Sequence, residues 1–203
     1  MLGLPKATEI KKIITKKKFF EQFGSGLTSD RRKSFDAAVA RITITNEISP
    51  ASLNIAAGEN VKAIFVVQVN LRQMEYDPRN IALLSRLFKQ KMLLVLSYGG
   101  RYRLAIYQNK LYQGDWKDAE ELTITLAGLD LDRVWEHMVF AITSITEETG
   151  KSLNEQLANE ERRQALKKNI ERLQKKAWAE KQPKRKFELK QQIDALQEEL
   201  GGL

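Results

Sequence analysis

Few side chains in this chain could carry chemistry. There is no cysteine, and His137 is the one histidine. A thiol nucleophile, an iron–sulfur cluster, a Cys-ligated zinc site and a disulfide framework are excluded, and one chain cannot build a histidine-rich metal site. A metal-dependent nuclease needs converging carboxylates and a lysine, to bind Mg2+ and position water. Glu75, Asp77, Asp115 and Asp118 are available, with Lys117 between the last two. Asp77, however, precedes Pro78, the pattern of a helix cap followed by Pro at the first helical position. Asp115 and Asp118 fall in a polar stretch that reads as a loop. His137 lies one helical turn beyond Arg133 and reads as a residue at a helix surface or boundary. No Gly-rich phosphate loop, GxSxG elbow or HExxH is present. Gly24-Ser25-Gly26 lacks the Gly-Lys-Ser/Thr that would follow in a phosphate loop. These residues identify no catalytic group, metal ligand or cofactor.

Cations are the richer resource. The net charge is +8 and unevenly placed. Residues 1–33 carry nine Lys/Arg against three Asp/Glu, residues 34–150 twelve against fourteen, and residues 151–203 thirteen against nine. Within the tail, residues 162–190 hold twelve basic and three acidic residues. Arg162, Arg163, Lys167, Lys168, Lys175, Lys176, Lys184, Arg185 and Lys186 are therefore candidates for contact with a nucleic-acid backbone, which attracts cations through counterion release. A solvated face or a protein-docking surface has the same composition. Near the N-terminus, Lys16, Lys17 and Lys18 could meet phosphate while Phe19 or Phe20 stacks on a base. The preferred reading buries the phenylalanines and leaves the lysines in water. Trp116, in Gly114-Asp115-Trp116, is expected to close a sheet edge.

The elements that would position these groups can be read from periodicity. Thr8 caps a short expected helix through Ile14. A second helix starts at Ser29 or Asp30 and carries Phe35, Ala38, Val39 and Ile42 on one face. Residues 43–60 read as an irregular connection, with a short strand at 42–45. Residues 61–71 form the strongest strand, apolar on both faces and hence central. A helix follows from Pro78 to about Gln90. Residues 92–98 and 101–108 flank Gly99-Gly100, a hairpin signal, because both central positions of a type I′ turn need positive φ. Residues 109–120 read as a polar loop and 121–126 as a strand. Asp130 caps a helix through about Glu148, with Leu131, Val134, Trp135, Met138, Ile142 and Ile145 as its apolar stripe. The fold class is α+β: a mostly antiparallel sheet with packed helices over residues 1–150.

After Gly150 the strand signals cease. Leu166, Ile170, Leu173 and Ala177 follow spacings of four, three and four, and Leu189, Ile193, Leu196 and Leu200 repeat them. This is heptad spacing. Pro183 divides the segment, which predicts helices over about 152–181 and 184–200 with a kink or turn between. Each seam spans about two heptads, and so short a helix is marginal alone. Leu166, Ile170, Leu173, Leu189, Ile193 and Leu196 must therefore meet another helix. It could be the other arm of a hairpin, a second subunit or a different protein. Residues 151–203 are thus a basic helical, coiled-coil arm. No run of 18 apolar residues marks a membrane span, and no signal peptide is evident, so a cytoplasmic protein is expected.

Several stretches together resemble domain-of-unknown-function family 4391 of bacteria and archaea. They are Leu4-Pro5-Lys6-Ala7-Thr8-Glu9-Ile10, Lys16-Lys17-Lys18-Phe19-Phe20, Leu53-Asn54-Ile55, Gly114-Asp115-Trp116, Gly128-Leu129-Asp130-Leu131-Asp132, Glu180-Lys181-Gln182 and Arg185-Lys186-Phe187-Glu188-Leu189. The specificity lies in their collinear order. Similar proteins have prolines where this chain has Lys89-Gln90-Lys91, and Asn where it has Pro183. The resemblance implies a companion of helicase and DNA-methyltransferase genes in restriction or phage-defence loci. It supplies no catalytic residues. The expected function is a non-enzymatic accessory subunit of a DNA-handling complex. It would dock a larger partner, such as a helicase or methyltransferase, through the C-terminal helices, which also offer contact to the DNA backbone. The alternatives are a metal-dependent nuclease or other nucleic-acid enzyme, and a structural homo-oligomer held by the coiled coil.

Overall fold

In a computed structural model, which describes residues 2–23, 26–88 and 90–203, the strand apolar on both faces lies inside a six-stranded sheet. Gly24 and Ser25 of the expected break, Lys89 and the Phe23 side chain lie outside the described residues. The chain divides into two units, Met1–Ser144 and Ile145–Leu203.

The first unit holds the sheet. Strands β1 (Glu9–Ile14), β2 (Val39–Ile48), β3 (Ile64–Leu71), β4 (Lys91–Tyr98), β5 (Arg101–Gln108) and β6 (Lys110–Gln113) lie side by side in chain order. Only β3 and β4 are parallel; every other neighbouring pair is antiparallel. The fold is α+β. Helices α1 (Lys16–Phe23), α2 (Ser29–Ala38), α3 (Pro50–Leu53), α4 (Pro78–Phe88) and α5 (Leu131–Thr143) complete the unit. A parallel pair cannot be joined by a tight turn, and α4 makes the crossover from β3 to β4.

Side-chain alternation assigns the two faces. Val67, Val69 and Leu71 of β3 and Met92, Leu94 and Leu96 of β4 join one core cluster with Phe19, Phe35, Ile81 and Leu84 from α1, α2 and α4. Phe19 is fully buried and stacks on Phe35 at 5.3 Å and Phe88 at 5.7 Å between ring centroids. On α5, which packs against β5 and β6, Leu131, Val134, Trp135, Met138 and Ile142 are buried. The Gly99-Gly100 turn has φ of 54° and 82°, the left-handed pair that the hairpin required.

Several local expectations are corrected. Residues 9–14 are strand β1, not helix. Six residues are too few to sustain a helix alone, and β2 offers their backbone a ladder. Thr8 ends a 3-10 turn instead. Its hydroxyl donates to the Pro5 carbonyl at 2.7 Å and accepts from Asn46 Nδ2 at 2.8 Å, tying the turn to β2. Strand β2 begins at Val39, where a helix face was expected, because its whole length pairs with β3. Lys110–Gln113, expected to be loop, forms β6 through a reversal at Asn109, whose φ is 62°. Residues 121–126, expected to be a strand, find no neighbour to pair with beyond a single bridge from Thr123 to Leu2. The expected helix to Glu148 ends at Thr143, with Ser144 left-handed at φ 56°.

Asp132, in the first turn of α5, anchors the segment before β3. Its carboxylate accepts from Val61 N at 2.7 Å and Asn60 N at 3.1 Å. Burial pushes this carboxyl up, but the backbone N–H groups of Asn60, Val61 and Glu59 outweigh it and hold the pKa below its ordinary value. A depressed folded-state value gives stability that is complete above the unfolded value, about 4, and is lost as pH falls through the folded one. Asp132→Asn should therefore be destabilised relative to the native chain at pH 7. That gap should narrow below about pH 4 in urea melts.

The second unit consists of α6 (Leu153–Ala179) and α7 (Pro183–Gly201). Ser152 and Glu155 form a reciprocal capping box at the start of α6. Pro183 occupies the first turn of α7, where its missing N–H costs nothing.

Candidate nucleic-acid and partner interface

The heptad residues meet one another. Ile170, Leu173 and Ile193 are buried in one cluster, with Ala177, Leu189, Leu196 and Leu200 packed against it. Leu166 is also buried. Of the three partners the spacing allowed, the structure places the other arm of a hairpin on this seam. Arg162 donates to Glu199 Oε1 from Nε at 2.9 Å and from Nη2 at 2.5 Å, joining the two arms near the C-terminal end of α7.

With the seam inward, the cations face outward. Arg162 pairs with Glu199, Arg163 with Glu160 at 3.5 Å and Lys175 with Glu171 at 2.7 Å. Lys167, Lys168, Lys176, Lys184, Arg185 and Lys186 are exposed and have no ion pair among the described residues. Lys184, Arg185 and Lys186 lie in the first turn of α7, which holds no acidic residue, and Gln182 supplies no side-chain cap. That end of a helix carries the positive pole of its dipole. Cations there cost about 0.3–1 kcal/mol each where acids would contribute as much. Lys168, Arg172 and Lys175 recur at helical spacing on the face of α6 away from the seam. Arg172 is one of the outward cations that the sequence reading did not single out.

Two aromatic residues also face outward. Trp178 is 90% exposed and Phe187 62% exposed. Both line an open groove with Gln174, Ala177, Pro183, Lys186, Lys190 and Ile193. They are the two aromatic residues of the arm. The wheel could have found them, since neither falls on the four-three-four positions of its seam.

The N-terminal candidates are differently placed. The Lys16 ammonium is held by Asp36 at 2.6 Å, while Lys17 and Lys18 are exposed. Phe19 is interior, as the preferred reading expected, and Phe20 is partly buried beside it. Trp116 is half-buried against the sheet core, with the Arg103 guanidinium 4.9 Å above its ring.

Of the carboxylates considered for metal chemistry, Asp77 and Asp118 are held in separate ion pairs, while Glu75 and Asp115 are exposed. Asp77 caps α4 by accepting from Arg79 N at 2.9 Å, and it pairs with the Arg79 and Arg31 side chains. The hydrogen bond from the Arg79 side chain leads in holding the Asp77 carboxyl below its ordinary value, against the opposing effect of burial. Asp118 pairs with Arg101 at 3.2 Å. Asp115 and Lys117 line a cavity of about 230 Å³ with Glu121 and His137, above Leu122 and Met138. Among the described residues no group of three or more His, Asp or Glu side chains could hold a metal ion. No helix among them is long and apolar enough to cross a membrane.

No curated protein and no solved structure matches the chain. The sequence profile of one family, described as Domain of unknown function (DUF4391), matches residues 2–200. That span takes in every motif of the collinear series, both the sheet-bearing unit and nearly all of the hairpin, and the chain belongs to the DUF4391 family.

Proposed function

We propose that this protein is a non-enzymatic accessory subunit of a DNA-handling phage-defence or restriction–modification complex, and that its helical hairpin is the working arm. The arm holds the DNA backbone on its outward cations and brings that DNA to a larger protein, such as a helicase or methyltransferase. The observation that carries this reading is the hairpin's charge arrangement. Its apolar seam is satisfied within the chain, yet Lys184, Arg185 and Lys186 crowd the positive end of α7, whose first turn holds no acidic residue. Such an arrangement disfavours the free arm and favours a bound polyanion. The resemblance to companions of helicase and methyltransferase genes supports DNA as that polyanion. Helix-borne lysines and arginines meet phosphates at many registers, so the binding is sequence-tolerant.

The test is a salt titration on unrelated duplexes, with the purified protein and with the complex recovered from the native operon. Each neutralised phosphate adds about 0.9 to the slope of log K against log salt. Reversing Lys184, Arg185 and Lys186 to Glu should flatten the slope by about 0.9 for every phosphate that is no longer neutralised, and should weaken binding on every duplex alike. Unchanged affinity after the reversal, or a strong preference for one sequence, rejects backbone contact by these cations, and no binding by the protein or its complex at low salt rejects the DNA role.

A further inference from the structure

The groove between Trp178 and Phe187 sits in a cationic stretch of the arm. Residues 175–190 carry seven Lys/Arg against two Asp/Glu. The groove's own lining includes Lys186 and Lys190 and no carboxylate. A Trp side chain 90% exposed leaves both faces of the indole in water, an unusual place for the largest apolar side chain. A protein partner would ordinarily meet such an anchor at a site depleted of charge. A second copy of this arm would bring like charges together. An apolar ring surface lined by lysines and by no carboxylate suits a chain of alternating flat rings and phosphates.

We propose that the hairpin tip is a binding site for unpaired nucleotides: bases of a single strand stack on Trp178 and Phe187 while Lys186 and Lys190 take the adjoining phosphates. This rests on the DNA-handling role and deepens it, because a duplex hides its base faces and a separated strand exposes them. Trp178 lies near the end of α6 and Phe187 near the start of α7, so the turn between the helices brings two stacking platforms to one groove. In the first turn of α7, Pro183 has no N–H and Lys186 N donates to the Gln182 carbonyl, which leaves the N–H groups of Lys184 and Arg185 as further donors for phosphate. Stacking is indifferent to base identity, so the site tolerates any sequence.

The experiment compares the full chain with Trp178→Ala, Phe187→Ala and Trp178→Phe variants. The probes are a labelled oligothymidylate and a duplex of equal length, each across a salt series. Both side chains are exposed and Ala is the best helix former, so the alanine variants should keep the far-UV spectrum. Trp178→Ala is expected to weaken single-strand binding about fivefold to 150-fold, the range for loss of one stacked base. Duplex affinity and the salt slope should stay unchanged, since no charge is removed. Trp178→Phe should recover part of the loss, and the oligothymidylate should quench the fluorescence of the native chain but not of Trp178→Ala. Equal single-strand affinity in the native and alanine variants overturns the proposal. If duplex binding then still falls on charge reversal at Lys184, Arg185 and Lys186, the accessory role stands without it. If neither probe binds, both readings fall. If the alanine variants lose a protein partner from the native complex while single-strand affinity is intact, the groove is a protein-docking site and the proposal is rejected.

Discussion

Replacing Phe19 with Ala should cost about 3–5 kcal/mol of stability in urea melts. The ring is fully buried and stacks against Phe35 and Phe88, linking α1, α2 and α4 on one face of the sheet. Truncation leaves a cavity that the rings of Phe35 and Phe88 cannot close, and it also removes the aromatic pairs. The effect belongs to the fold. Nucleic-acid binding measured on the remaining folded fraction should be unchanged, because the ring has no face free for a base. A variant of native stability that lost single-strand affinity would place Phe19 at the binding surface and reverse this assignment.

The second large effect is expected at the hairpin seam. Carrying both Ile170→Asp and Ile193→Asp should abolish the hairpin as a folded unit. Its buried cluster has only Ile170, Leu173 and Ile193 at the centre, with four partly buried neighbours. Deleting one such side chain typically costs about 2–5 kcal/mol, and a buried unpaired carboxylate costs more. Single helices of this length are marginal in water. The far-UV helical signal should drop, and the sheet-bearing unit should keep its own melting transition. Phosphate binding should fall with the arm, because its cations would no longer be held on one rigid face. A chain ending at Gly150 should show the same remaining transition. If the double variant kept its helicity but dissociated an oligomer, the seam would lie between chains.

How much of this was legible in the sequence depended on how local the cause was. Asp77-Pro78, Gly99-Gly100 and Pro183 each act through their own backbone, and each stands where its chemistry required: at a helix cap, at a left-handed turn and at a helix start. The two heptad runs were equally legible, because the spacing of apolar residues on a helix does not depend on what covers them. The failures were matters of partnership. Residues 9–14 became a strand because β2 lay alongside, and residues 121–126 failed to become one because, among the described residues, they gained only a single bridge to Leu2.

The candidate site follows the same division. Charge density and the collinear family motifs were fixed by the order of residues, and they pointed to the arm. Only the tertiary structure decided that the seam closes on itself, that Lys16 is taken by Asp36, and that Trp178 and Phe187 share a groove with Lys186 and Lys190. The sequence determines which groups are apolar, charged or capped, since those are properties of single residues and their near neighbours. Which of them remain available to a ligand depends on pairings between residues far apart in the chain, and these exist only once the chain has folded.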